Sequence, residues 1–187
     1  MTTLQKPLYF VSLLGSLRKA SVNGGVARAL PALAPEGVIV APLGSVGDFP
    51  LYNADIQAEG FPSAVEVMGD AIKAADGVIV VSPEYNYSAP GVLKNAIDWL
   101  SRLPSNPFKH KPILLQSASP GALGGARMQY HLRQTFVFLD ARVMNVPEVM
   151  IGGAYAKSDN ATGDLTDEGT KDFLRKQLAA FAEFVKA

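Results

Sequence analysis

Cysteine is absent from this chain of 187 residues. That excludes disulfides, thiolate nucleophiles and cysteine-ligated zinc or iron–sulfur centres. Histidine is scarce: His110 and His131 fall in different predicted elements, so no histidine-built metal site is expected. No sign of charge dominates, because 17 Lys+Arg balance 17 Asp+Glu. The chain therefore lacks the basic footprint that nucleic acid or an anionic membrane attracts. It also lacks the global charge of an electrostatically steered redox carrier. Long hydrophobic runs are missing too. Leu8 to Leu14 is too short to span a bilayer, and polar Met1 to Lys6 has neither the basic start nor the cleavage site of a secretory signal. These absences lead us to expect a cytoplasmic protein with no nucleic-acid partner and no membrane insertion. No repeat, linker or low-complexity segment divides the chain, so residues 1–187 are read as a single domain.

What is present is an alternation of short apolar runs with longer periodic segments. Leu8–Leu14, Val38–Ala41, Gly77–Val81, Pro112–Ala118 and Arg142–Val146 read as strands. Val26, Leu30 and Leu33 recur at helical spacing, with a break near Pro31 and Pro35. Residues 43–62 read as a loop punctuated by Gly and Pro. Ser63 and Glu66 have the spacing of a capping box, and Val65, Met68 and Ile72 give the helix behind them one apolar face. Further helices are expected over Gly91–Leu103 and Gly125–Leu139. Gly152 to Leu165 reads as a loop, and Thr166 as the cap of a last helix bearing Leu174, Leu178, Phe181 and Val185. Strands alternating with helices define an α/β fold whose parallel sheet is covered on both faces. Gly77-Val-Ile-Val-Val81 is almost wholly apolar, as a central strand of such a sheet must be. Ligands of these sheets bind beyond the carboxyl ends of the strands, so the loops after strands one, three and four are the ones to read.

The first is Gly15-Ser-Leu-Arg-Lys-Ala-Ser-Val-Asn23. Two hydroxyls, a guanidinium and an amide precede a helix whose free N–H groups favour an anion. A phosphomonoester suits it; an ordinary turn capping the helix would use the same residues. The nucleotide motifs GxxxxGK[ST] and GxGxxG are absent. Ser82-Pro83 stands where a phosphorylation receiver would carry an aspartate.

The second loop, Ser82-Pro-Glu-Tyr-Asn-Tyr-Ser-Ala-Pro-Gly91, offers a stiff aromatic wall for a planar ring, or simply tyrosines that pack. Nothing in the sequence supports Glu84 as a general base. The third, Ser117-Ala-Ser-Pro-Gly-Ala-Leu-Gly-Gly125, is rich in glycine and so in accessible N–H groups, or is a flexible connector. No GxSxG elbow exists, because Leu115-Gln116 precedes Ser117. Trp99 reads as a packing residue and His131 as a surface or interface residue. A phosphate cradle, an aromatic wall and an N–H-rich loop at one sheet end together describe a site for flavin mononucleotide (FMN).

Gly15-Ser-Leu-Arg-Lys-Ala-Ser-Val-Asn23, Pro83-Glu-Tyr-Asn-Tyr-Ser88, Pro90-Gly-Val-Leu-Lys-Asn-Ala-Ile-Asp-Trp99 and Gly124-Gly-Ala-Arg127 resemble the NAD(P)H-dependent FMN reductase family. The likeness extends over nearly the whole chain, and within the family it is strongest to the bacterial chromate and quinone reductases. It implies a flavodoxin-like α/β/α sandwich whose five-stranded parallel sheet has the order 2-1-3-4-5. FMN would be held noncovalently, with NADPH or NADH as electron donor and small-molecule acceptors such as quinones, free flavin or chromate.

By position, Ser16, Arg18, Ser21 and Asn23 would hold the phosphate. Pro83, Glu84, Tyr85 and Asn86 would line the ring and ribityl chain, with Ser117 and Gly121 opposite. The resemblance also implies a homodimer or homotetramer, in which Arg127, Tyr130 and Glu148 link subunits near the flavins. Two departures bear on the flavin edge: Pro120 removes a backbone donor, and Val92 follows Gly91 where relatives can carry a second glycine. The residues leave two other readings open, a one-electron carrier of flavodoxin type and a flavin-binding protein without turnover.

Overall fold

In the computed structural model, described over residues 6–187, strand β1 (Leu8–Leu14) lies inside one parallel sheet ordered β2-β1-β3-β4-β5. Its partners are β2 (Val38–Pro42), β3 (Gly77–Val81), β4 (Pro112–Ala118) and β5 (Arg142–Val143). Met1–Gln5, part of the polar stretch read above, lie outside the described residues. The order expected from the resemblance is the one found.

Side chains alternate across the pleat as strand geometry requires. Val78 and Val80 enter one core with Val65, Met68, Ile72, Ile97, Trp99, Leu100 and Phe136. Ile79 and Val81 enter the other with Val26, Leu30, Leu174, Leu178 and Phe181. The first core is covered by α3 (Ser63–Ala74), α4 (Gly91–Ser101) and α5 (Ala126–Phe138). The second is covered by α1 (Val22–Leu33) and α6 (Glu168–Lys186). Trp99 is a packing residue as expected, fully buried, with its Nε1 donating to the Pro50 carbonyl at 2.9 Å.

Five local expectations need correction. The fifth strand is shorter than Arg142–Val146 and is split. The chain leaves β4 after Val143 and rejoins it as β6 (Val149–Ile151), which pairs with Gln116–Ala118. Pro147, in the gap, has no N–H to give a ladder. Ser63 does not cap α3: Pro62 is the cap residue and makes no side-chain bond, the fixed proline φ starting the helix instead. The last helix is capped one residue later than expected, by Asp167, whose Oδ2 accepts from the Thr170 N–H at 2.7 Å and the Thr170 hydroxyl at 2.6 Å. Pro31 does not break α1, which runs through it to Leu33. The 43–62 stretch also holds a short helix, α2 (Ala54–Glu59), with no buried residue. Its lack of an apolar face is why periodicity did not reveal it.

One close backbone approach shapes the site's flank. The segment between β6 and α6 crosses the first turn of α1, and a Cβ on Gly25 would fall on the carbonyl group of Gly163. Gly163 itself has φ +74° and faces the Ala20 and Ser21 carbonyls. Gly25→Ala is therefore expected to destabilise by about 1–3 kcal/mol, as overpacking against rigid backbone does. Gly91→Ala, at an open helix start with nothing nearby, should be neutral or stabilising by up to about 1 kcal/mol. Urea-denaturation midpoints of the two variants test the contrast.

Candidate active site

At the carboxyl end of the sheet a small cleft of about 120 Å³ is lined by Ser16, Arg18, Ser21, Val22, Asn23, Pro83, Glu84, Tyr85, Ala118, Ser119, Pro120 and Tyr155. A larger hollow of about 640 Å³ lies at the other end, by Leu8, Gly37, Val38 and Ala182. Its charged groups, Lys6, Glu36, Glu183 and Lys186, sit among ordinary surface residues. Convergent polar groups and the carboxyl-end rule both favour the smaller cleft, which encloses a phosphate-sized head rather than a whole nucleotide.

The first loop works through main chain more than side chain. Ser21 caps α1, its Oγ accepting from the Gly24 N–H at 3.3 Å. The N–H groups of Val22 and Asn23 have no acceptor among the described residues. No acidic residue occupies the first turn of α1 to compete for an anion. Asn23 is fully engaged elsewhere: its Nδ2 donates to the Ala118 carbonyl at 2.9 Å and its Oδ1 accepts from the Ala118 N–H at 2.8 Å. It offers a phosphate its N–H and ties the first loop to the end of β4. Ser16 is buried beside it, and Arg18 is exposed with its guanidinium 3.4 Å from the Tyr155 hydroxyl. Free helix N–H groups, a hydroxyl and a guanidinium fit the phosphate end of FMN.

The third-strand loop is a tight turn. Tyr85 and Ser88 exchange both backbone hydrogen bonds at 3.0 Å, with Asn86 at φ 49° and Tyr87 at φ 67° between them. Two consecutive left-handed residues define the primed hairpin turn. Asparagine tolerates that conformation, but a tyrosine in it costs on the order of 1–3 kcal/mol. Glu84, just before the turn, is 10% exposed and doubly held. Its Oε1 accepts from Arg127 Nε at 2.7 Å, and its Oε2 accepts from the Met128 N–H at 3.2 Å. Glu84 thus serves the start of α5, where Gly125 provides no side-chain cap. Its carboxylate is held by these two donors at the start of α5.

Sequence reasoning therefore placed Ser16, Arg18, Ser21, Asn23, Pro83, Glu84 and Tyr85 at one cleft. Asn86, Ser117 and Gly121 do not line it. Asn86 is exposed at the turn, and Gly121 is exposed in its loop with its N–H on the Ser119 hydroxyl at 3.2 Å. Ser117 is buried beneath, accepting from Gln129 Nε2 at 2.8 Å. Pro120 stands on the rim. Arg127, Tyr130 and Glu148 make contacts within the chain. Arg127 pairs with Glu84, the Tyr130 hydroxyl is 3.5 Å from Glu148, and Arg133 is 3.4 Å from the same carboxylate. His131 is exposed, its Nδ1 3.0 Å from the Ser88 hydroxyl.

Tyr155, Gln129 and Arg133 escaped the sequence reading. Tyr155 sits in a short 3₁₀ turn inside a segment read only as loop. The other two lie on α5, where no local pattern singles them out.

Fold and cleft together define a flavin-type site: an anion cradle at a helix start facing a stiff aromatic turn at a sheet's carboxyl end. Comparison with known proteins agrees. Residues 9–156 match the family model "NADPH-dependent FMN reductase". A quinone reductase of Escherichia coli is 57% identical over 184 residues, covering 98% of each chain. An NAD(P)H-dependent FMN reductase of Pseudomonas aeruginosa is 46% identical over 94% of each chain. The solved structure of a flavoenzyme NAD(P)H:(acceptor) oxidoreductase from Paracoccus denitrificans superposes with a TM-score of 0.84 at 36% identity, covering 96% of this chain and 97% of that one. The chain belongs to the NADPH-dependent FMN reductase family. It is an oxidoreductase whose cofactors are FMN and NAD(P)H.

Three carboxyls in the segment leading to α6 sit below the usual carboxylate range. Asp159 is lowered chiefly by the Thr162 N–H, Asp164 by the Arg28 side chain and Asp167 by the Thr170 hydroxyl. A carboxyl whose folded pKa lies below its unfolded value of about 3.9 stabilises above that value and loses the contribution as pH falls through the folded one. Acidification below about pH 4 should therefore loosen the segment beside Tyr155. Asp164→Asn, which weakens the Arg28 tie, should flatten that dependence. Limited proteolysis of residues 157–167 across the acid range checks both.

Proposed function

We propose that the chain passes two electrons from NAD(P)H to quinones, with free flavin and chromate as further acceptors. The balance is NAD(P)H plus a proton plus quinone giving NAD(P)⁺ plus hydroquinone. The supporting observation is the convergence on one cleft of free α1 N–H groups, Ser16 and Arg18 with the Tyr85–Ser88 turn. FMN, when bound, supplies hydride acceptance and two-electron delivery. The chain's residues hold and orient it. The Val22 and Asn23 N–H groups, Ser16 and Arg18 receive the phosphate dianion, and Pro83 and Tyr85 stand as the wall beside the ring. Asn86 on the turn and Ser117 and Gly121 in the fourth-strand segment complete the proposed set, Ser117 from beneath. No carboxylate in the cleft is free to act as a base, since Glu84 is held by Arg127 and the Met128 N–H. The cleft is shallow, so donor and acceptor use the same open face in turn, and the mechanism is ping-pong.

The assembly we infer is a homodimer or homotetramer in the cytoplasm, with Arg127, Tyr130 and Glu148 near its subunit contacts. Among the described residues no helix is long and apolar enough to cross a membrane.

Arg18→Ala should weaken FMN binding about tenfold or more, the loss of a charged hydrogen bond worth about 1.5–3 kcal/mol. Fluorescence titration of the stripped protein measures it, and unchanged affinity removes Arg18 from the cradle. Double-reciprocal plots against a quinone should give parallel lines; intersecting lines contradict the alternating use of one face.

A further inference from the structure

We propose that Arg127 is a positioning residue that acts from α5 on the Tyr85–Ser88 turn, holding it in its left-handed conformation so that its tyrosines stand in one place for the acceptor. This rests on the reading of that turn as a wall of the flavin site.

The turn needs an external hold. Tyr87, at φ 67°, has no glycine's freedom, and the residue is 65% exposed. A tight turn of this kind keeps a tyrosine at such a φ only where neighbours over-determine it. Arg127 touches both sides of the strained step. Its guanidinium carbon lies 3.6 Å from the centre of the Tyr87 ring. Its Nε donates to Glu84, immediately before the turn. A planar guanidinium can stack on a ring and pair with a carboxylate at once, and an ammonium cannot. One helical turn further on, at the i+4 position, His131 meets the Ser88 hydroxyl and closes the far end.

The helix start that carries Arg127 is itself closely packed. A Cβ on Gly124 would meet the Met150 and Ile151 backbone, and one on Gly125 would meet Ser117 at 2.8 Å. Two residues on, Gln129 donates to the Ser117 hydroxyl and to the Val149 carbonyl, both at 2.8 Å. Arg127 thus transmits the position of β4 and β6 to a turn that local bonding alone would leave strained. Its Nε and one ring contact are engaged inside the chain, so this role needs no second subunit.

Arg127→Ala, Arg127→Lys and Tyr87→Phe are compared with the parent. Amide hydrogen exchange is measured with and without FMN, and steady-state quinone kinetics are measured on the FMN-loaded protein. In Arg127→Ala the Tyr85 and Ser88 amides should exchange about tenfold faster, FMN present or not, from loss of a cation–π contact and a carboxylate pair together. The quinone KM should rise by a similar factor with kcat changed less than about twofold. Arg127→Lys, which keeps only the charge pair, should recover part of the protection. Tyr87→Phe, which keeps the ring, should leave exchange at the parental rate.

Unchanged exchange at those two amides in Arg127→Ala overturns the proposal. So does a loss spread equally over β4 and α4, an unmoved quinone KM, or a defect seen only in the assembled form. A chain that takes up no FMN, yet whose turn is freed by Arg127→Ala, overturns the functional reading and leaves the hold of Arg127 on the turn standing.

Discussion

A single buried side chain joins the two walls of the cleft. Asn23, in the first turn of α1, closes a two-way hydrogen-bonded pair with the main chain of Ala118 at the last residue of β4. The two groups belong to segments 95 residues apart, and both are removed from water. An unpaired amide there would cost on the order of 1–3 kcal/mol, so the pairing locks the separation of the first and fourth-strand loops. With that separation set, the α1 start faces a gap of defined width, and its free N–H groups point at a place rather than at solvent in general.

Close backbone contact extends this rigidity around the rim. The approach of Gly25 to Gly163 and of Gly124 to Met150 lets two loops press against neighbouring main chain where any Cβ would intrude. The first brings the segment bearing Tyr155 over the cradle, and the second sets the entry angle of α5. Arg28 reinforces the first contact through Asp164 and the Thr162 carbonyl. These ties are exposed and individually weak, but they act on a segment already pinned by glycine-to-glycine contact.

The architecture was legible because its signals are those of burial. Gly77–Val81 is apolar on both faces, as a central strand must be, and the helical stripes of α3 and α6 face the cores that their spacing predicts. The phosphate loop was legible as a set of residue types but not as a set of roles. Ser16 and Arg18 line the cleft, and Asn23 lines it through its backbone while its side chain does a structural task that no local pattern reveals. Asn23 and Ala118 meet only through the tertiary fold. Arg127 is the same kind of case: nothing in the Gly124-Gly-Ala-Arg127 string points to Tyr87 or Glu84. The split edge strand was missed because β5 and β6 are two and three residues long, too short for period-two alternation to register. The caps of α3 and α6 were placed wrongly because hydroxyl spacing is a weak signal beside a preceding proline or a nearby aspartate.

The two sides of the cleft solve opposite problems. In the proposed function the cradle side holds a dianion at a fixed point, on main-chain donors whose positions follow from a twelve-residue helix and a buried amide pair. Little can be altered there without moving the helix. The turn side stands out from the sheet, exposes Tyr85 and Tyr87, and is held by side chains of α5; in the proposed function it presents flat surface to a donor and an acceptor in turn. A turn built on glycine would have reached the same backbone angles without strain but would have offered no ring. Tyrosine at that position supplies the ring and introduces the strain, and the Glu84–Arg127 pair is the nearby interaction that offsets it. The carboxylate and the guanidinium are therefore parts of the wall's support.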